Sequence, residues 1–142
     1  MTPEQIAKGG SEHAHQCALF AAIALNHPLN VAAHPLHELF AIKNQGHGDA
    51  IRGGQSKAEG VKAGVSDLFL PVPFHGFHGF FLELKTPDKA THKNGGLSAE
   101  QLEFFVKKAE RGYWCGIGHG WNDALDKLYR YLAENRPPNN WR

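Results

Sequence analysis

Cysteine is scarce in this chain: Cys17 and Cys115 are the only two in 142 residues, and they have no metal-like spacing. That excludes a disulfide scaffold and places the protein in a reduced, cytoplasmic compartment. Net charge is scarce as well, at +1 with histidine neutral. A nucleic-acid partner must then be held by a local patch, because the chain has no global field to offer. Long apolar runs are missing, so no membrane association is expected, and the N-terminus lacks the basic-then-apolar order of a secretory signal. No small-molecule cofactor is expected, and no internal repeat appears.

What is present is an ordinary soluble composition, 42% hydrophobic and 20% charged, in a length that supports one domain with its own core. We take residues 1–142 as that single domain, with 1–10 and 137–142 as loosely ordered ends. Ser11 is an N-cap ahead of Glu12, and Leu19, Phe20 and Ile23 follow at helical spacing until Asn26-His27-Pro28. Leu36 to Ile42 alternates and reads as a strand. Lys43 to Gly54 is a polar glycine-rich loop, and Gln55 to Ala63 a short basic helix.

Two apolar runs come next, Gly64–Pro71 and Gly79–Lys85, with the aromatic and aliphatic enrichment and turn boundaries of buried strands. A polar loop spans Thr86–Gly96. Ser98-Ala99-Glu100-Gln101 is a capping box opening a helix that Gly112 ends. Tyr113–Ile117 is a short buried strand, and Trp121, Leu125, Leu128 and Leu132 mark a final amphipathic helix. The order is that of a mixed α/β chain built on one central sheet.

The chemistry sits in the two central runs. Asp67 is read as lying mid-strand among apolar neighbours. Alternation puts Glu83 and Lys85 on one face with Phe81, and Phe80, Leu82 and Leu84 on the other. Paired as a hairpin, the runs bring Asp67 beside Glu83 and Lys85. Two carboxylates and an ammonium on one sheet face are costly to desolvate unless something needs them there. Carboxylates suit hard cations such as Mg²⁺ or Mn²⁺, which support phosphodiester hydrolysis, and a lysine can orient water or neutralise transition-state charge. On residue types alone, a surface salt bridge on a sheet edge competes with that reading.

Gly64-Val65-Ser66-Asp67, then Glu83-Leu84-Lys85, then Ser98-x-x-Gln101 resembles the motif series of the VRR-NUC (virus-type replication-repair nuclease) family, within the PD-(D/E)xK nuclease superfamily. The likeness takes in Glu12 on the first helix, the basic segment from Lys43 to Lys62, and the closing strand and helix. One departure is Ser66, where the superfamily has proline. The resemblance implies a restriction-endonuclease-like αβββαβ core with a mixed central sheet flanked by helices. It implies Asp67, Glu83 and the backbone carbonyl of Leu84 as ligands of Mg²⁺ or Mn²⁺, and Lys85 as the catalytic lysine. Gln101 is implied to face the same site, with Glu12 reaching in through a water or a second ion. Both also have plain structural readings: Gln101 as the capping-box residue, Glu12 as an acid suiting the helix dipole.

The implied activity is metal-dependent cutting of branched DNA, particularly four-way (Holliday) junctions, by a homodimer; nucleases of flaps, single strands or plain duplex, and a non-catalytic DNA-binding module, are the alternatives. Two acids placed near phosphate repel DNA unless a cation intervenes, which argues against the last. Lys43, Arg52, Lys57 and Lys62 before the first run, and Lys89 and Lys93 after the second, are the DNA-facing candidates. The histidine pairs His34/His37 and His75/His78 invite zinc, but no cysteine accompanies either. Phe77, Tyr113, Trp114 and Trp121 are candidates for stacking on bases, with core packing the preferred account from Tyr113 onward.

Overall fold

The computed structural model describes residues 1–30, 33–43, 57–133 and 141. Helix α1 (Pro3–Ala7) is closed at its start by a Thr2/Gln5 capping box and packs on α2 (Glu12–Asn26), which Ser11 caps through Ala14 N–H. Strands β1 (Phe40–Ala41), β2 (Leu68–Leu70) and β3 (Phe80–Lys85) run antiparallel in sequence order. Helix α3 (Ala99–Glu110) then crosses over to β4 (Trp114–His119), which lies parallel to β3, and α4 (Trp121–Tyr131) follows. The sheet order is β1-β2-β3-β4. This is the mixed, helix-flanked α/β arrangement expected, with the αβββαβ order running from α2 to β4.

Three expectations need correction. Leu36–Ile42 is not one strand: Pro35 opens a 3₁₀ turn (Pro35–Glu38) capped by the His34 ring, and only Phe40–Ala41 pair. Proline has its φ fixed for a helical first turn, and that local preference overrides the weak alternation. Asp67 is not mid-strand either, because the β2 ladder begins at Leu68, opposite Leu82. The Thr86–Gly96 segment, read as loop, is two 3₁₀ turns, Pro87–Thr91 and Lys93–Gly96. The segment 44–56, including Arg52, lies outside the described residues.

The alternation on β3 sorts two cores. Phe80, Leu82 and Leu84 are essentially inaccessible on one face, packed with Leu19 and Ile23 of α2 and Leu128 and Tyr131 of α4. Each such side chain contributes roughly 1.5–3 kcal/mol of burial. The opposite face carries Phe81, Cys115 and Ile117 under Leu102, Phe105 and Val106 of α3. Phe74 and Phe77 bridge across a tight turn with positive φ at His75 and Gly76, and both rings pack on the first core. Phe77 is thus a packing residue. Tyr113 sits among Phe69, Phe81 and His78.

Helix α3 is specified at both ends. Its capping box is complete, and Tyr113 N–H to Lys108 C=O with Gly112 N–H to Ala109 C=O forms a Schellman end at Gly112, φ 93°. Gly118 lets α4 press onto β4: a Cβ there would stand 2.5 Å from the Ala124 Cβ and 2.8 Å from its Cα. Gly118→Ala is therefore expected to destabilise the fold by about 1–3 kcal/mol, seen as a lower urea midpoint at unchanged m-value. An unchanged midpoint would mean α4 is free to shift.

Candidate active site

Extending the β2–β3 register by one residue places Asp67 opposite Glu83, where the two strands begin to part. The pair is locked reciprocally. Asp67 N–H donates to Glu83 Oε2 at 3.1 Å, and Leu84 N–H donates to Asp67 Oδ2 at 3.0 Å. Each carboxylate thus accepts a backbone donor from beside the other, which fixes both orientations. Ser66, at the superfamily's proline position, is buried, and its hydroxyl donates to Leu68 C=O at 3.2 Å. It shapes the backbone before β2, as a proline would by other means.

Glu83 is 2% exposed. Gln101 Nε2 donates to its Oε1 at 2.9 Å, while Gln101 Oε1 accepts Ser98 N–H at 2.9 Å. The structural and functional readings of Gln101 are therefore compatible: one end of its amide closes the helix cap and the other holds Glu83. Lys85 Nζ stands 3.8 Å from Glu83 Oε1, with its side chain 14% exposed. Burial first, and then the charge of Asp67 beside it, push the Glu83 carboxyl up to about 9, against a downward pull from Lys85. One lysine does not compensate two acids here.

The donor set suits a hard divalent cation. Two carboxylates face one another with one lysine beside them, and burial and mutual repulsion raise the Glu83 carboxyl above its ordinary value. Lys85 C=O is taken by Gly120 N–H on the β4 side at 2.9 Å, so strand alternation turns the Leu84 carbonyl toward the Asp67 side. Among the described residues, no three His, Cys, Asp or Glu side chains form a group able to hold a metal. Mg²⁺ commonly takes one or two carboxylates and completes its shell with waters and substrate oxygens, so a two-acid site fits it.

The other expected residues are placed as follows. Glu12 is exposed in the first turn of α2, and no hydrogen bond or ion pair joins it to Asp67, Glu83 or Lys85. Lys43 and Lys62 are exposed and line one groove with Val65, two residues before Asp67. Lys57 is exposed. Lys89 is half-buried, its stem against Gly96, and Lys93 is exposed on the adjoining turn. Lys62 borders one side of α3, where it shares a groove with Lys107, and Lys93 borders the other, again with Lys107.

Lys107 was not singled out from sequence, although its place six residues after Gln101 on an amphipathic helix is the signal that would have found it. His119, unassigned from sequence, lies in register with Lys85 and on the same face; its ring donates to Gly95 C=O at 2.8 Å and its N–H to Asp123 Oδ2 at 2.9 Å. His34 meets His27 and His37, with the His27 and His34 rings stacked at 3.7 Å. Their nitrogens are engaged: His34 Nδ1 by Leu36 N–H, His37 Nε2 by His27 C=O and His27 Nε2 by the Tyr129 hydroxyl.

The class that the fold defines is restriction-endonuclease-like α/β. A solved protein described as "VRR_NUC domain protein" superposes with a TM-score of 0.70 over 94% of this chain and 98% of that one, at 18% sequence identity. The chain has the fold of that domain over nearly its whole length. No family model and no curated protein matches the sequence.

Proposed function

We propose that the protein is a VRR-NUC-type nuclease that hydrolyses DNA phosphodiester bonds with Mg²⁺ or Mn²⁺, selects branched DNA, particularly four-way junctions, and works as a homodimer. The observation that carries the catalytic part is the interlocked Asp67–Glu83 pair with Lys85 and Gln101 against it. A binding module gains nothing from two acids held where phosphate must lie. The fold likeness supports the same reading.

Asp67, Glu83 and the Leu84 carbonyl would hold the ion. When bound, it supplies charge neutralisation at the phosphoryl group and lowers the pKa of the attacking water. The chain's own residues do the rest. Lys85 stabilises the charge that develops on the phosphoryl oxygens and orients the water. Gln101 keeps Glu83 aimed, and its own position is fixed by Ser98. Glu12 acts through water at the rim.

Lys43 and Lys62 on one flank, and Lys89 and Lys93 on the other, grip the DNA backbone, with Lys107 between them on α3; Arg52 and Lys57 belong to the same basic stretch of sequence as the first pair and are proposed to share that role. A dimer places two such sites under one two-fold axis, as paired nicking requires. We place the dimer contact on β1 and α4, which expose Phe40 (47%) and Tyr129 (37%). No described helix is long and apolar enough to cross a membrane.

A panel of labelled junction, flap, single strand and duplex, cut with Mn²⁺ at equal protein, tests the substrate. Paired nicks in the junction at the highest rate, from a species sedimenting as a dimer, are expected. A higher rate on another member would reassign the substrate while leaving the chemistry intact. Lys62→Glu combined with Lys93→Glu should weaken binding to every member alike and flatten its salt dependence, since phosphate contacts carry no sequence information. An unchanged salt slope would move the DNA path elsewhere.

A further inference from the structure

Beside the acid pair, on the same face of the sheet, lies a cavity of about 560 Å³ that the proposed chemistry does not use. Its floor is β4, where Ile117 is in register with Glu83 and His119 with Lys85. It therefore starts one strand away from the site, a separation of about 5 Å. Its far wall is α3, through Leu102 and Val106, and Leu102 follows Gln101 directly. Trp141 adds an indole, set edge-on to Phe105 with ring centres 6.0 Å apart.

The mouth is formed by the Lys93–Gly96 turn, which contributes Asn94; His92 precedes it. Here the backbone is strained. Asn94 has φ 54°, and Gly95 and Gly96 follow at 65° and 89°. A Cβ on Gly95 would stand 2.8 Å from Ile117 Cδ1, so only glycine lets the turn lie this close to the floor. A non-glycine residue held in the left-handed region costs of order 1–3 kcal/mol, and such strain gathers at ligand clamps.

The lining decides what fits. Lys127 is the one lysine or arginine among its described lining residues, and that ammonium is already spent on Ile117 C=O and on Asp123 Oδ2 at 3.2 Å. His119 is tied to Gly95 C=O. Among the described residues that line it, no free positive charge remains to take a phosphate. What is left is a slot of ligand size, walled by Leu102, Val106, Ile117 and Trp141, with the Asn94 amide and the His92 ring at its mouth, both able to hydrogen-bond a neutral heterocycle.

We propose that this cavity receives the unpaired nucleobase next to the scissile phosphate, stacked against Trp141 and read at its edge by Asn94 and His92. The inference rests on the nuclease reading and gives it a source of structure selectivity. A base inside a continuous duplex must be unstacked at a cost of a few kcal/mol to enter; at a fork or flap it is already unpaired, and at an open four-way junction the pair beside the branch has lost a stacking neighbour and opens at lower cost.

The test uses a forked DNA carrying 2-aminopurine at the first unpaired position, titrated with full-length protein in chelator. Emission should change on binding to wild type. The change should be lost in Val106→Phe, which fills the slot from α3, and reduced in Asn94→Gly, a substitution that suits the positive φ and so spares the fold. A fork with an abasic residue at that position should be cut on the order of tenfold more slowly by wild type, and no more slowly than the intact fork by Val106→Phe. An emission change that persists in both variants, with the abasic penalty unaltered, would overturn the proposal. Metal-dependent cutting with no emission response in wild type removes the base pocket alone. Failure to bind any DNA removes the nuclease reading itself.

Discussion

Lys85→Ala is expected to abolish cleavage at saturating metal, a loss on the order of 10²–10³-fold or more, while DNA affinity stays close to wild type. The reasoning is positional. Among the described residues Lys85 is the cation paired with the acids, and its Nζ lies 3.8 Å from Glu83 Oε1 on a side chain 14% exposed. A lysine so placed contributes little to gripping DNA, which the exposed lysines on either flank of α3 do instead. Its value lies in charge that appears only as the phosphoryl group reacts, so the loss should fall on the single-turnover rate and not on binding. Lys85→Arg should restore little, because a planar guanidinium does not reproduce a compact ammonium in a slot this buried. Equal loss of binding and rate in Lys85→Ala would make Lys85 a phosphate anchor.

The second large effect is a pH dependence of stability that metal cancels. In the cation-free protein, burial and the neighbouring Asp67 charge raise the Glu83 carboxyl from an unfolded value of 4.5 to about 9. Between those values the folded state holds a proton that the unfolded state has released. Stability from that protonated carboxyl is full below the unfolded pKa and is lost as pH rises through the interval, by at most about 1.4 kcal/mol per unit. Thermal melts in chelator should therefore fall from about pH 5 to about pH 8, and Glu83→Gln should flatten the fall. Mg²⁺ or Mn²⁺ should raise the melting temperature more at the higher pH, because the ion takes the place of the proton. A wild-type melt that is flat in chelator, or a slope that survives Glu83→Gln, would show that the Glu83 charge is compensated by something other than a cation.

Much of this site is legible in the chain because β3 is buried on both faces yet keeps its period of two. Phe80, Leu82 and Leu84 must face one core, so Glu83 and Lys85 must face the other side, and a hairpin then brings Asp67 across from Glu83. The Ser98–Gln101 cap is equally legible, since two side chains three positions apart define it locally. What could not be read is which atoms of Gln101 the cap consumes. Only the three-dimensional placement of α3 leaves Nε2 free to reach Glu83.

The misreadings have local causes. Pro35 imposes a 3₁₀ turn that alternation over Leu36–Ile42 does not reveal, and β2 is short because the strands part at Asp67 to hold two acids. The pocket beside the site was invisible for a different reason. It depends on a run of left-handed residues at Asn94–Gly96 and on pairing between strands 34 residues apart at Lys85 and His119. Glu12 stands at the start of α2 as expected, and with no direct hydrogen bond or ion pair to the acids its proposed role runs through water.

The central claim is that the Asp67–Glu83 pair holds a divalent cation that drives phosphodiester cleavage. Nicking of a labelled four-way junction by wild type and Asp67→Asn, each with Mg²⁺ or Mn²⁺ and with chelator, tests it most directly. Wild type should cut only with metal, and Asp67→Asn should lose on the order of 10³-fold or more with metal present, while still binding the junction. Cutting by wild type in chelator, or by Asp67→Asn at the wild-type rate, would contradict the account.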